Sequence, residues 1–476
     1  MALNYEIYVG GSFIKTNQPL EVQNPFSGET FAITYFADSA ILEDAIKKAQ
    51  AVEKEMKNMP IFERYSILME IATKLKENKE SLAKILSMES GKPFKLASGE
   101  IDRAIQTFIV AAEECKRLPA EYMSIDWTPD GKNKEGLVKY FPVGLVAGIA
   151  PFNFPMNLAV HKIAPAIAAG CPIILKPASS TPLSTLELAK IIDTTSLPKG
   201  ALSILPMNRA AGNQLVTDER FKLLTFTGSP QVGWQMKKEA GKKKVVLELG
   251  GNAGVIVTKT ANIEHAVKRC IVGGFAYSGQ VCIHAQRIYV HHEIFNDFAE
   301  KFIQGVKLLK SGNPIEKDTD ISSMIDEQNA IRVEEWVNEA KANGAILMCG
   351  GKREGTFYQP TVLTKTNSEM KVCSEEIFGP VVTLEPFSDF NHAIEIVNNS
   401  NFGLQAGVFT NSIDELNASF NELEVGGVMI NEVPTFRVDH MPYGGIKDSG
   451  LGREGLKYAI LDMMEAKVMI KNNYPI

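Results

Sequence analysis

Three separated places in the chain carry side chains able to work on a carbonyl carbon. Cys282 stands in Tyr277-Ser278-Gly279-Gln280-Val281-Cys282-Ile283-His284, a small, polar, glycine-bearing context. A thiol ordinarily titrates near about 8.5, so a nucleophilic cysteine needs a base or a positive local field to activate it. Glu248 closes the apolar run Val245-Val246-Leu247 against Gly250-Gly251, where a lone carboxylate is costly unless it has a task or a partner. Asn153 lies between Pro151-Phe152 and Phe154-Pro155, an amide donor in a stiff apolar frame. The set offers a nucleophile, a carboxylate and a hydrogen-bond donor.

Other motifs read as decoys. Gly450-Leu451-Gly452-Arg453-Glu454-Gly455 spells GxGxxG, but no apolar strand precedes it and too little chain follows to complete a βαβ unit. Ser81-Leu82-Ala83-Lys84 spells SxxK inside an amphipathic helical stretch and lacks the companion motifs of penicillin-binding chemistry. His291-His292-Glu293 has no second ligand pair at suitable spacing and reads as a strand end, so no metal site is expected.

Alternating units must position the chemical groups. Helical periodicity predicts helices from Ser39 to about Lys57 and from Ile61 to about Glu89, the second stopped by Gly91 and Pro93. Apolar strands at Val143–Ile149, Pro172–Leu175, Ala201–Leu205, Leu223–Phe226 and Val245–Leu247 then alternate with helical stretches near Met156–Ala168, Leu183–Ile192, Ala210–Val216 and Gln231–Ala240. That alternation implies a parallel, doubly wound α/β sheet whose ligands sit at the carboxyl ends of the strands. Asn153 and Glu248 both fall at such ends. A second α/β region starts with Ala253–Thr258 and includes Arg287–Val290, Ala345–Met348, Val381–Pro386 and Gly427–Asn431 as strands. Polar Ser124–Gly136, with Pro129-Asp130-Gly131, reads as an exposed hairpin suited to subunit contact.

The 476-residue chain can bury a large core. Its 45% hydrophobic and 22% charged residues exclude a disordered or fibrous class. Fifty basic against 56 acidic residues, a net charge of −6, point away from nucleic acid or an acidic membrane and toward a small-molecule partner. Six cysteines (Cys115, Cys171, Cys270, Cys282, Cys349 and Cys373) form no CxxC pair, and no signal peptide opens the sequence, so a cytoplasmic protein is expected. Tyr140–Val160 is uncharged, but Pro142, Pro151 and Pro155 break it into strand, turn and helix start rather than a membrane span.

The motifs Pro151-Phe152-Asn153-Phe154-Pro155, Leu175-Lys176-Pro177, Phe226-Thr227-Gly228-Ser229, Leu247-Glu248-Leu249-Gly250-Gly251, Gly279-Gln280-Val281-Cys282, Glu375-Glu376-Ile377-Phe378-Gly379-Pro380 and Pro442-Tyr443-Gly444-Gly445-Ile446-Lys447 occur in one order along nearly the whole chain. In them the sequence resembles the NAD(P)-dependent aldehyde dehydrogenase superfamily. The resemblance implies a Rossmann-type cofactor domain from residues 1–120 and 140–250, an α/β catalytic domain from 251–450, and a small β oligomerisation element from 121–139 and 455–476. Homodimers or homotetramers are implied as well.

Carried over by residue, the resemblance makes Cys282 the nucleophile that forms a thiohemiacetal and then a thioester. Asn153 and the Cys282 N–H become the oxyanion hole, and Glu248 the activator of hydrolytic water. Lys162 and Glu454 support proton transfer, and Arg453 and Glu465 match a structural pair. NADP or NAD is the implied cofactor, with Lys176 and Ser179 at the adenosine ribose and Ser229 at the pyrophosphate. Glu376 falls at the nicotinamide ribose beside Phe378, and Ile149, Phe152 and Leu249 line the cleft. Many NAD-selective relatives carry Glu where this chain has Ser179; without that negative charge, NADP is expected to be accepted. Leu205–Gly212 departs from the glycine-richer turn of many relatives.

Phe154, His161, Val281, Ile283 and Tyr443 match pocket-wall positions. Arg103 and Arg437 either grip a hydroxyl, carboxylate or phosphate of the substrate or make structural ion pairs with neighbours such as Asp102 and Asp439. The expected substrate is a small polar aldehyde of the lactaldehyde, glyceraldehyde or succinic semialdehyde type. The alternatives are a coenzyme A-acylating aldehyde dehydrogenase, disfavoured by the presence of Glu248, and a catalytically silent dinucleotide-binding protein on the same fold.

Overall fold

A computed structural model describes residues 2–473. The first of its two large sheets has eight strands, in the order Gly450–Leu451, Lys244–Glu248, Leu223–Thr227, Val146–Ile149, Ile173–Lys176, Leu202–Ile204, Ile7–Val9 and Phe13–Ile14. The five inner ones are parallel. Chain order runs outward in both directions from Val146–Ile149, so the topological switch lies between that strand and Leu223–Thr227. A doubly wound sheet opens its ligand crevice at such a point. The segments after these two strands are Ala150–Phe154 and Gly228–Ser229.

Pro155–Ala169 follows the crevice and is buried at every position. It has no polar face because the sheet lies on one side and the Ile61–Glu77, Phe94–Cys115 and Leu456–Asp462 helices cover the other. Pro155 occupies its first turn, where a missing N–H costs nothing, and Gly170 ends it at φ 84°. The helix expected from Ile61 to Glu89 is two helices, Ile61–Glu77 and Lys79–Ser90. Asn78 separates them by turning its side-chain amide back onto the Lys74 carbonyl, a local bond that competes with helix continuation.

The second sheet has seven strands: Ile346–Cys349, Thr361–Thr364, Val381–Phe387, Ala285–His291, Ala253–Val257, Gln405–Phe409 and Gly427–Ile430. All pairings are parallel except the first. The third, with three antiparallel strands (Ala120–Ser124, Lys134–Pro142 and Met464–Asn472), is largely exposed. Residues 455–476 therefore serve two places. Leu456–Asp462 puts Leu456 and Ile460 into the core of the first sheet, while Met464–Asn472 joins the third; 474–476 lie outside the described residues. Strand Gly450–Leu451 also returns to the first sheet, beside Glu248. No helix among the described residues is long and apolar enough to cross a membrane.

Candidate active site

Cys282 is delivered by a constrained turn. Tyr277, Ser278 and Gly279 all have positive φ, near 51°, 52° and 68°. Only glycine fits the third position, since a Cβ there would come within 2.0 Å of the Gly379 carbonyl oxygen. Tyr277 Oη donates to the Ser90 carbonyl at 2.8 Å and Ser278 Oγ to that of Ser322 at 2.7 Å, which offsets the strain. The thiol emerges at the wall of a cavity of about 530 Å³ shared with Asn153, Ser229, Leu249, Glu376, Phe152 and Phe378. Its Sγ lies 3.1 Å from Tyr443 Oη. Burial pushes the thiol up to about 11, against the lowering effect of that hydrogen bond.

Asn153 Nδ2 donates to the Gln280 carbonyl at 3.0 Å, leaving its second N–H available beside Cys282. Its main-chain carbonyl accepts from Lys92 Nζ at 2.7 Å. Lys92 is also ion-paired with Glu100, whose other oxygen caps the Pro155–Ala169 helix by accepting from the N–H groups of Met156 and Asn157. The ammonium further lies 3.7 Å from the Phe154 ring centroid. No sequence motif announced Lys92; its only written signal is a lysine beside Pro93.

Glu248 is buried, and its Oε1 accepts from the Glu454 N–H at 3.3 Å while Oε2 has no partner among the described residues. Burial first, then the charge of Glu454, raises its carboxyl well above the ordinary range. Lys162 Nζ reaches Thr227 Oγ1 at 2.8 Å, Thr225 Oγ1 at 3.2 Å and Glu454 Oε1 at 3.5 Å. Arg437 Nη2 donates to Glu454 Oε2 at 2.9 Å. Against burial, Lys162 and Arg437 hold the Glu454 carboxyl down at about 2. Arg453 and Glu465 are not a pair: Arg453 donates to the Gly445 and Gly452 carbonyls, and Glu465 takes Lys244.

Val281, Ile283, Tyr443, Tyr277 and Leu404 form one apolar cluster, with Phe154 and Cys282 packed against it. His161 sits apart from this wall. It is buried in a polar chain, with Nε2 2.8 Å from Asp439 Oδ1, and burial pushes it below its ordinary range, against the pull of Asp439. Arg103 Nη2 reaches the same Asp439 oxygen at 2.7 Å, while Asp102 pairs with Lys79 instead. Both Arg103 and Arg437 thus make ion pairs, yet each keeps a buried Nε–H without a partner among the described residues. The Asp439 and Glu454 carboxylates thus face the guanidinium groups of Arg103 and Arg437, respectively.

A second cavity, of about 770 Å³, adjoins the first at Gln231 and holds Ile149, Lys176 and Ser179 with Met207, Asn208, Arg209 and Gly212. The expected cofactor residues thus divide between two linked cavities along the carboxyl edge of the first sheet. Ring packing of Phe152 on Phe378, edge to face at 5.8 Å, narrows the Cys282 end. A Cβ on Gly250 would come within 2.3 Å of a Glu376 carboxylate oxygen. Glu376 Oε1 accepts from the Gly251 N–H at 2.9 Å, and burial raises its carboxyl to about 7, against that bond and the charge of Arg332. The arrangement fits a dinucleotide: a long two-part cleft, an acceptor at one end and cationic side chains at the other. Arg209 is exposed and makes no hydrogen bond or ion pair among the described residues. It falls in the Leu205–Gly212 turn that the sequence marks as divergent.

Comparison with known proteins gives one answer. The family model "Aldehyde dehydrogenase family" matches residues 13–469. A 3-sulfolactaldehyde dehydrogenase of Priestia aryabhattai is 42% identical over 98% of both chains. The crystal structure of aldehyde dehydrogenase 21 from Physcomitrella patens, in complex with the reaction product succinate, is 46% identical and superposes with a TM-score of 0.98 over 100% of this chain and 99% of that one. A glyceraldehyde-3-phosphate dehydrogenase of Methanocaldococcus jannaschii, complexed with NADP, is 40% identical with a TM-score of 0.92, covering 96% and 100%.

Proposed function

Because the chain belongs to the aldehyde dehydrogenase family, and so is an NAD(P)-dependent oxidoreductase of aldehydes, we propose that it oxidises a small aldehyde bearing an anionic or hydroxylated tail to the carboxylic acid. The buried Nε–H groups of Arg103 and Arg437, without a partner among the described residues, carry this reading. A carboxylate, sulfonate or phosphate tail would accept from them, and guanidinium forks suit such oxyanions. The 3-sulfolactaldehyde, succinate and glyceraldehyde-3-phosphate in the names of the relatives are all of this chemical type.

Cys282 Sγ attacks the carbonyl carbon, and the developing oxyanion is met by the free Asn153 N–H and the Cys282 main-chain N–H. Donors of this kind are worth roughly 3–4 kcal/mol each. When bound, the dinucleotide supplies the acceptor for the hydride that the thiohemiacetal carbon releases, and Glu376, Phe378, Phe152, Leu249, Ser229, Ile149, Lys176 and Ser179 are the residues that would hold it. Glu248, once ionised, takes the proton of the water that attacks the thioester. Its hydrogen bond to the Glu454 N–H and the Lys162–Glu454–Arg437 chain hold it in place. Arg209 joins Lys176 and Ser179 as a group able to meet a 2′-phosphate.

The coenzyme A-acylating reading is disfavoured by Glu248, and acid formation independent of added coenzyme A separates the two. The exposed three-stranded sheet supports a homodimer or homotetramer, readable by light scattering. Six free cysteines support a reducing, cytoplasmic setting. The deciding experiment is an aldehyde panel run in parallel with NAD and NADP. Best kcat/KM is expected for short oxyanion-bearing aldehydes, and a maximum at hexanal or longer refutes the reading.

A further inference from the structure

Tyr443 does more than line the pocket wall. Its hydroxyl is buried and has one hydrogen-bond partner among the described residues, the Cys282 sulfur at 3.1 Å. Two features hold it there. The Arg437 guanidinium lies 3.7 Å from the Tyr443 ring centroid, and the Tyr443 backbone is pinned to Glu454 by two hydrogen bonds, at 2.9 and 2.6 Å. The same Glu454 N–H meets Glu248. The nucleophile's phenol and the base's carboxylate thus hang from one residue.

We propose that the Tyr443 hydroxyl is a catalytic hydrogen-bond donor to the Cys282 thiolate, acting on it both as the attacking nucleophile and as the leaving group. The phenol stays protonated throughout. When Cys282 ionises, its proton goes to water and the lone pair on sulfur accepts the Tyr443 O–H. As the C–S bond forms, the carbonyl π pair moves to oxygen; sulfur loses its charge and the hydrogen bond weakens. In hydrolysis the C–S bond breaks, its pair returns to sulfur, and the same O–H receives it. A bond that is strong to S⁻ and weak to a neutral thioether or thioester sulfur makes the thiolate a better leaving group.

Magnitude decides whether this helps the attack, because a stabilised thiolate is also a weaker nucleophile. A tenfold gain in thiolate fraction costs roughly threefold in intrinsic reactivity at a Brønsted slope of about 0.4–0.5, so the net is a gain of about threefold for each unit by which the thiol is lowered. The other charged groups facing the sulfur do not supply this. Glu376 and Glu248 oppose ionisation, and Arg437, which favours it, is already engaged by Glu454. Burial likewise favours the neutral thiol and keeps the phenol un-ionised.

The inference rests on Cys282 being the nucleophile, and its test needs neither aldehyde nor cofactor, so a wrong substrate assignment leaves it standing. The rate of iodoacetamide alkylation of Cys282 is followed against pH by mass spectrometry of its peptide, in the wild type and in Tyr443→Phe. The expected result is an inflection about one to two pH units higher in the variant and alkylation about three- to tenfold slower near neutrality. Coincident profiles overturn the proposal. Replacing Tyr443 by 3-fluorotyrosine keeps the ring nearly the same size and makes the hydroxyl a stronger donor. The inflection should then move down, and an unmoved inflection overturns the proposal even if Tyr443→Phe fails to fold.

Discussion

Lys92 donates to the main-chain carbonyl of Asn153 at 2.7 Å from a position that water does not reach. Its charge is matched by Glu100, and Glu100 in turn fixes the first turn of the helix that follows Asn153. A buried ion pair is weak support for stability in general, but one that touches the peptide of the proposed oxyanion donor sets geometry where an ångström matters.

Removing one member leaves a buried charge. Lys92→Met is expected to cost about 3–5 kcal/mol and to lower kcat more than it raises KM. The double variant Lys92→Met/Glu100→Met should recover much of the stability in thermal melts without recovering kcat. Recovery of kcat in the double variant would contradict a positioning role.

Glu248→Gln should leave acylation largely intact and stop hydrolysis, giving a burst of about one reduced dinucleotide per active site followed by turnover slowed about 10²–10⁴-fold. The sign of the pH dependence follows from the raised carboxyl. Below its folded value Glu248 is protonated and cannot take a proton from water, so wild-type steady-state turnover rises with pH through that value. In Glu248→Gln the residual rate should lose that inflection, as stopped-flow absorbance over a pH series would reveal.

Arg209→Ala should lower kcat/KM for NADP by about tenfold or more, about 1.4 kcal/mol, while changing that for NAD by less than twofold. Strict NAD specificity in the wild type removes the basis for this expectation, and the two-cofactor comparison checks both points.

Arg103→Ala should raise KM for succinic semialdehyde at least tenfold and that for propanal little. Equal losses on both substrates would assign Arg103 to fixing Asp439 and His161 instead.

Much of the site can be read from the chain because Cys282, Glu248 and Asn153 stand in punctuated segments, where glycines, prolines and strand ends are visible one residue at a time. The parallel order of the first sheet is legible for the same reason. The break at Asn78 is not, because a single asparagine in a periodic stretch gives way only when its side chain finds the Lys74 carbonyl. Nor are Lys92 and Arg209, whose partners or lack of them depend on segments far away in sequence. His161 matches a wall position, yet its neighbour Asp439 turns it into the polar chain. The two Met464–Asn472 and Leu456–Asp462 destinations are hidden as well, since both segments look like one tail.

The return of Gly450–Leu451 and Glu454 to the strand that carries Glu248 bears on how the protein comes into being. Every other strand of the first sheet is complete by Glu248, but the hydrogen bond that seats Glu248 comes from Glu454, 206 residues later. A nascent chain therefore completes the Glu376 and Phe378 end of the cleft before it can seat Glu248. Cys282 is synthesised well before the residue that seats Glu248.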